Sequence, residues 1–565
     1  MGTMREPRDT GLQTAQVETV IPEKSLNPQM MNEGELQSPY QLGWKTLLAL
    51  VTLSMGNVCA ALANTTNTTI KFQVATLAKT PGDSALASWI SNGNFLLTLA
   101  MGPIFGSLGD RLGKKWFLVG GALLGVVGST ISGSANRIAA IVGGNILTGI
   151  ANAGCIVSIS CIQEITPNKH RPWAMGVSQA MASAFVVLGT FLAAAFVRDN
   201  VGGLGGWRWA YYFNGIIYGL TAVAIGVSYF PPRPVLGRHQ VRREIITGVD
   251  YLGILLMAGS FASLITGLTW GGTTYPWDSP RIIATLTAGC VGLAFFGLYE
   301  AFMVKEGILD HRLFQTRNFP ILMLVCAIDG MLLLGVNVAF SQEAYDLFTQ
   351  DAVGIATIIS PYLILSTFGC IPAGCIMAFT RSYRAFLVAA LSWCALFTGL
   401  MGLVTAGRKS WSYAFSALFG AGTAVTTTIP GMLFPLFELS YEIYTNGTYK
   451  VTALALSIPS YLMGTAVTVS ISCRALGGIV GITVFTSVYN NKYASYVGPE
   501  IAADSHAAVD TVASAKAWRD VWIVIACLVA VNAVVACFLK SVKSMMNDHV
   551  ESSLEDSKVR REQKI

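Results

Sequence analysis

Fourteen long apolar runs separated by short polar turns organise this chain. By hydropathy they lie at about Trp44–Ala63, Ser88–Leu108, Trp116–Ser134 and Ile138–Cys161, then up to about Val197 and up to Phe230. Tyr251–Thr269 and Ile282–Met303 follow, and after them 320–340, 355–379, 385–404, 413–436, 462–488 and 520–539. Crossing ~30 Å of hydrocarbon as an α-helix takes about 20 apolar residues. Inside a bilayer each backbone N–H and C=O must be paired within the chain, so runs of this length predict helices. The pattern predicts an all-α membrane protein of about fourteen transmembrane helices. The runs group as six, two and six: a bundle over 44–230, a basic connector with two inserted helices over 231–303, and a second bundle over 304–539. Polar tails, 1–43 and 540–565, are expected to be disordered and cytoplasmic. The stretch Phe434–Ser460, with Glu438, Glu442 and Lys450, fits no span and reads as a long loop or an insertion.

The turn between the second and third runs reads Gly106-Ser-Leu-Gly109-Asp110-Arg111-Leu-Gly113-Lys114-Lys115. Three glycines let helix ends approach closely, Asp110 can meet the positive end of a neighbouring helix, and Arg111, Lys114 and Lys115 hold the turn in the cytoplasm. Charge alone would also suit an ordinary basic loop. If the two bundles are repeats, an echo belongs after the second span of the second bundle. Gly374 to Arg384 stands there, keeping the glycine and the cations and lacking the acid. Lys and Arg are in modest excess on the side of this turn, which places both tails inside.

Composition narrows the classes. Of 565 residues 53% are hydrophobic and only 12% charged, with mean hydropathy +0.55; a soluble domain carries about 25% charge. A net charge of +6 is too small to point to nucleic acid. Eleven cysteines are scattered, mostly in apolar runs, and five histidines are dispersed, so no metal site or other cofactor is expected. An ATP-driven pump needs Gly-x-x-x-x-Gly-Lys-Ser/Thr, and Gly109 to Lys115 has the wrong spacing and no hydroxyl. No nucleophile–base set suggests an enzyme.

The turn 106–115 resembles the loop signature of the major facilitator superfamily. The chain further resembles the superfamily's fourteen-helix drug-exporter branch, and within it the fungal trichothecene efflux pump group. Gly144 to Ile150, Glu164 to Arg171, Trp207 to Asn214, Leu347 to Asp351 and Arg474 to Gly478 carry that likeness. It implies the major facilitator fold, with the first helix of each bundle lining a central cavity. It also implies proton-driven export of a small lipophilic secondary metabolite or toxin across a fungal membrane, with the lipid bilayer, the substrate and protons as partners. The plasma membrane is the expected location, a vacuolar or vesicular membrane the alternative, and the chain is expected to act as a monomer. A siderophore–iron transporter shares the fourteen-span plan and is the rival reading. Two positions depart from the exporters: Asn145 stands where they hold an arginine, and Gly189-Thr190 where they have Gly-Pro.

Ionisable groups at mid-depth in a membrane are expensive and point to function. Asp329 in the ninth run and Arg474 in the thirteenth are the clearest, either as a structural ion pair or as a proton or substrate site. Asn57, Asn94, Asn145, Gln179 and Asn337 are polar candidates for the cavity or for helix packing. Glu300 lies near the end of its run and reads as structural. Sequons at Asn64 and Asn67 are possible glycosylation sites, and a third at Asn446 falls inside.

Overall fold

A computed structural model describes residues 43–75, 86, 89–167, 170–199, 201, 205–231, 250–272, 275–304, 318–380, 382–433, 460–500 and 506–539. The tails over 1–42 and 540–565, the connecting stretches 232–249 and 305–317, and the 434–459 stretch with Asn446 lie outside the described residues.

Fourteen long helices are present among the described residues. The first group is α1 (Trp44–Ala75), α2 (Trp89–Leu112), α3 (Lys114–Ser134), α4 (Ile138–Ile165), α5 (Arg171–Arg198) and α6 (Trp207–Ser228). The pair α7 (Tyr251–Trp270) and α8 (Pro280–Phe302) follows. The remainder are α9 (Asn318–Leu347), α10 (Ala352–Thr380), α11 (Tyr383–Met401), α12 (Lys409–Leu433), α13 (Ser460–Glu500) and α14 (His506–Ala536). Twelve are long and apolar enough to span a bilayer by composition alone. The other two, α2 and α12, carry Asn94, Thr423, Thr426 and Thr428, all buried, so their polarity faces protein. Large side chains such as Leu255, Val291 and Phe368 are about 70% exposed, as a lipid-facing surface requires.

Several helices outrun their apolar stretches. The Asn-Thr-rich part of α1 continues as helix because its hydroxyls bond back to its own turns and Thr66 and Asn67 are buried. Hydropathy marks only what lies in lipid, so α13 and α14 also extend beyond the predicted runs. Beyond that shared stretch, Tyr489 stacks on Trp518 at 4.5 Å and Tyr496 Oη donates to Asp520 at 2.8 Å, tying the two helices together.

The first six helices pack on one another, as do the last six. Two seams join the groups: α2 lies against α13, and α10 against α5. Each seam pairs the second helix of one group with the fifth of the other, a two-fold relation. The α7–α8 pair attaches through α7 to α2 and α13. Asp250 caps α7 by accepting from Gly253 N at 2.8 Å, and Tyr299 of α8 donates to the same carboxylate at 2.9 Å.

Candidate functional site: a closed turn and a central cavity

One residue, Gly113, separates α2 from α3, at φ 98° and ψ 130°. A side chain is strained at that positive φ, which is why glycine stands there. The sharp turn swings Lys114 back onto Asp110, 2.8 Å away, and onto Glu164 at the end of α4. Asp110 also accepts from Gly464 N at 3.2 Å, Thr465 N at 2.9 Å and Thr465 Oγ1 at 3.1 Å, near the start of α13. These N–H groups and the positive end of the helix dipole make a fitting site for a carboxylate. A Cβ on Gly106 would meet the carbonyl oxygen of Gly464 at 2.8 Å, so this glycine lets α2 and α13 touch. Lys115 takes another course, donating to Gly226 O at 2.9 Å and lying 3.3 Å from the Phe230 ring centre. Arg111 is half-buried.

The other seam closes the same end. A Cβ on Gly374 would lie 2.6 Å from Pro172 O, and one on Gly176 2.7 Å from Cys370 O. Gly374, the glycine of the sequence echo, thus does for α10 and α5 what Gly106 does for α2 and α13. Among the described residues no acid is seen latching this second seam.

Above the closed end is a cavity of about 220 Å³. Eight helices line it, α1, α2, α4 and α5 from one group and α9, α10, α12 and α13 from the other. Asn57, Gln179, Asn337 and Arg474, all singled out in the sequence, lie on its wall. Asn57 Nδ2 donates to Gln179 Oε1 at 2.5 Å, linking α1 to α5. Phe95, Ile159, Val186 and Ile471 supply much of the remaining, apolar lining.

Asp329 lies behind this wall. It is 2% exposed, about 16 Å along α9, and its Oδ2 is 2.6 Å from Arg474 Nη2. Arg474 is 17% exposed, on the cavity side, and Nη2 also approaches Thr427 O at 3.4 Å. The helices are in backbone contact here. A Cβ on Gly330 would meet the Arg474 carbonyl carbon at 2.7 Å, and one on Gly477 the Ala327 carbonyl carbon at 2.6 Å. Immediately after Asp329, residues Met331–Gly335 form a π-helical turn. Such turns often mark functional positions.

Asn94 and Asn145 do not line the cavity. Asn94 bonds Thr148 and Asn152, and Asn152 in turn accepts from Tyr218, a ladder across α2, α4 and α6. Asn145 Nδ2 donates to Tyr211 Oη at 3.2 Å, and that hydroxyl donates to Asn67 Oδ1 at 3.0 Å. The position where exporters hold arginine is thus a packing position in this fold. Both described sequon asparagines are within α1: Asn67 is 1% exposed with its amide oxygen engaged, and Asn64 lines the cavity. Glu300 is buried on α8.

Sequence reasoning missed four residues. Glu164 was noticed only as part of a stretch, since nothing in its spacing shows that it meets Lys114. Gly464 and Thr465 carry no charge, and no motif marks them. Glu343, 1% exposed on α9 near Trp522, is disguised by its place at the end of an apolar run.

A model of the fungal trichothecene efflux pump (TRI12) family matches residues 31–514. "Efflux pump FUS6" of Gibberella fujikuroi is 26% identical over 495 residues, covering 86% of this chain and 81% of that protein. "MFS-type transporter ucsD" of an Acremonium species is 26% identical over 72% of this chain, which spans only 64% of that relative's length. Among solved structures, the major facilitator superfamily proton:xylose symporter XylE superposes with TM-score 0.58 at 11% identity, over 89% of this chain and 99% of its own. That likeness concerns the fold.

Proposed function

This chain belongs to the fungal trichothecene efflux pump family, and on that premise we propose that it exports a small lipophilic secondary metabolite by alternating access, in exchange for protons. The observation that carries the reading is the cavity between the two helix groups, closed at the end of the Asp110 turn. Substrate enters from the cytoplasm when that end is open and leaves when it is closed, as the groups rock about the α2–α13 and α5–α10 seams. The Asp110 latch holds the closed arrangement. Asp329 is the proton-exchanging group, with Arg474 as its partner and, among the described residues, as the one charged side chain on the cavity wall. The relatives' efflux names favour export over siderophore–iron carriage. The substrate passes through chemically unchanged, the chain acts as a monomer, and the plasma membrane is its location.

Vesicles with inverted sidedness from a yeast strain lacking its own exporters test this. They should accumulate a radiolabelled lipophilic fungal secondary metabolite from a panel of such compounds, and a protonophore should abolish the accumulation. Accumulation of labelled ferric siderophore in its place, or of neither, would refute the proposal.

A further inference from the structure

Beyond the central cavity, towards the end opposite the Asp110 turn, lies a second recess of about 50 Å³ between α1, α5, α9 and α10. The two adjoin, because Thr65, Asn337 and Leu363 line both. We propose that this recess is a second substrate subsite, taking hydroxyl groups of the exported molecule on its way out; the proposal rests on the efflux reading.

The chemistry follows from where the hydroxyl protons go. Thr65 Oγ1 donates to Ala61 O at 3.0 Å, Thr68 Oγ1 to Thr65 O at 2.8 Å and Thr69 Oγ1 to Thr65 O at 2.9 Å. Thr190 Oγ1 donates to Val186 O at 2.8 Å, and Ser341 Oγ to Asn337 O at 2.7 Å. A hydroxyl has one proton to give, so what these five present to the recess is lone pairs. Any threonine in a membrane helix can bond back to its own turn. Here five side chains from three helices do so around one recess, which places a cluster of acceptors on its wall beside Tyr345 and Gln350, whose side chains can also donate. The central cavity adds a cation to such hydroxyls: Arg474, a donor only, stands there with Thr98 and Thr427, which also bond back to their own helices. Asn337 stands between recess and cavity and carries both functions.

The five back-bonded hydroxyls favour a hydrogen-bond donor on the side of the recess they line. Among the described residues the lining holds no carboxylate, so a neutral hydroxyl suits it better than an ammonium group. The volume admits a hydroxylated edge of a larger molecule, or a few waters, and not a whole metabolite. The recess therefore holds one polar edge while the apolar body is still in the central cavity.

The test uses the full-length chain in lipid nanodiscs, with tritiated estradiol and its dimethyl ether as probes. Both are rigid lipophiles, and only the first donates hydrogen bonds. Thr68→Val with Thr69→Val removes acceptors at nearly constant volume, and Ser341→Ala serves as an independent variant. Each should weaken estradiol binding about fivefold, the scale of one lost hydrogen bond, and leave the dimethyl ether unchanged. Equal losses for both probes, or no loss for estradiol as in a recess that holds only water, overturns the subsite. Should the unsubstituted chain bind neither probe and accumulate no metabolite in vesicles, the efflux reading falls and the subsite with it. A chain that accumulates its metabolite but does not distinguish the probes rejects the subsite alone.

Discussion

Asp110 Oδ2 accepts the backbone N–H of Thr465 at 2.9 Å, although 355 positions separate the two residues. With Gly464 N, Thr465 Oγ1 and Lys114 on the same carboxylate, one side chain joins the α2–α3 turn to the beginning of α13. Hydrogen bonds to a charged group contribute about 1.5–3 kcal/mol each. A latch of this strength biases an equilibrium between two arrangements of the helix groups.

Asp110→Asn keeps the shape, removes the charge, and turns an acceptor into an N–H₂ that faces Lys114 or a backbone donor. Transport should fall at least several-fold while the protein still reaches the membrane. Uptake into inverted vesicles at matched protein level measures it, and normal transport would contradict the latch.

Asp329 and Arg474 separate coupling from mere pairing. Removing one member of a buried pair costs about 3–5 kcal/mol, so Asp329→Asn alone should lower expression. Asp329→Asn with Arg474→Gln should restore it. If Asp329 carries the proton, the double variant binds substrate yet no longer concentrates it against a gradient. A double variant with normal pH-driven accumulation would leave the pair a purely structural role.

The α9–α13 contact predicts a contrast among glycines. Gly330→Ala or Gly477→Ala puts a methyl group against a carbonyl of the facing helix, and neither backbone can yield cheaply. Each should destabilise by about 1–3 kcal/mol, seen as a lower melting temperature in detergent. Gly143→Ala, with nothing within 4 Å of the added Cβ, should melt as the parent does.

Sidedness is open to labelling. Asp278 is exposed in the turn between α7 and α8. In a chain whose native cysteines are replaced, Asp278→Cys should react with an impermeant maleimide in intact cells. Reaction only after permeabilisation would invert the orientation.

The helices were legible because lipid imposes one rule along the whole chain, and each predicted run has its helix. The turn 106–115 was legible too, since a one-residue link between two spans leaves few residue types to choose from. Polar residues in apolar runs were visible as candidates, but their roles were not. Asn57 and Asn94 look alike in sequence, yet one lines the cavity and the other bonds Asn152, because helix rotation about its axis decides the direction. The partners of Asp110 and Lys114 come from α13 and α4, distant in the chain, and nothing local encodes the distance.

The π turn Met331–Gly335 has a geometric consequence for everything after it. Such a turn accommodates one residue more than an α-helical turn would, which sets the following stretch back by about 100°. In a regular α-helix Asn337, eight positions beyond Asp329, would sit about 80° around the axis from it. With the extra residue absorbed, the two fall on nearly one line. The helix therefore carries an inserted residue as a phase correction, aligning the buried acid with the amide shared by both chambers. Losing any single residue from Met331–Gly335 would leave α9 long enough to cross the bilayer, with its second half dialled to the wrong bearing.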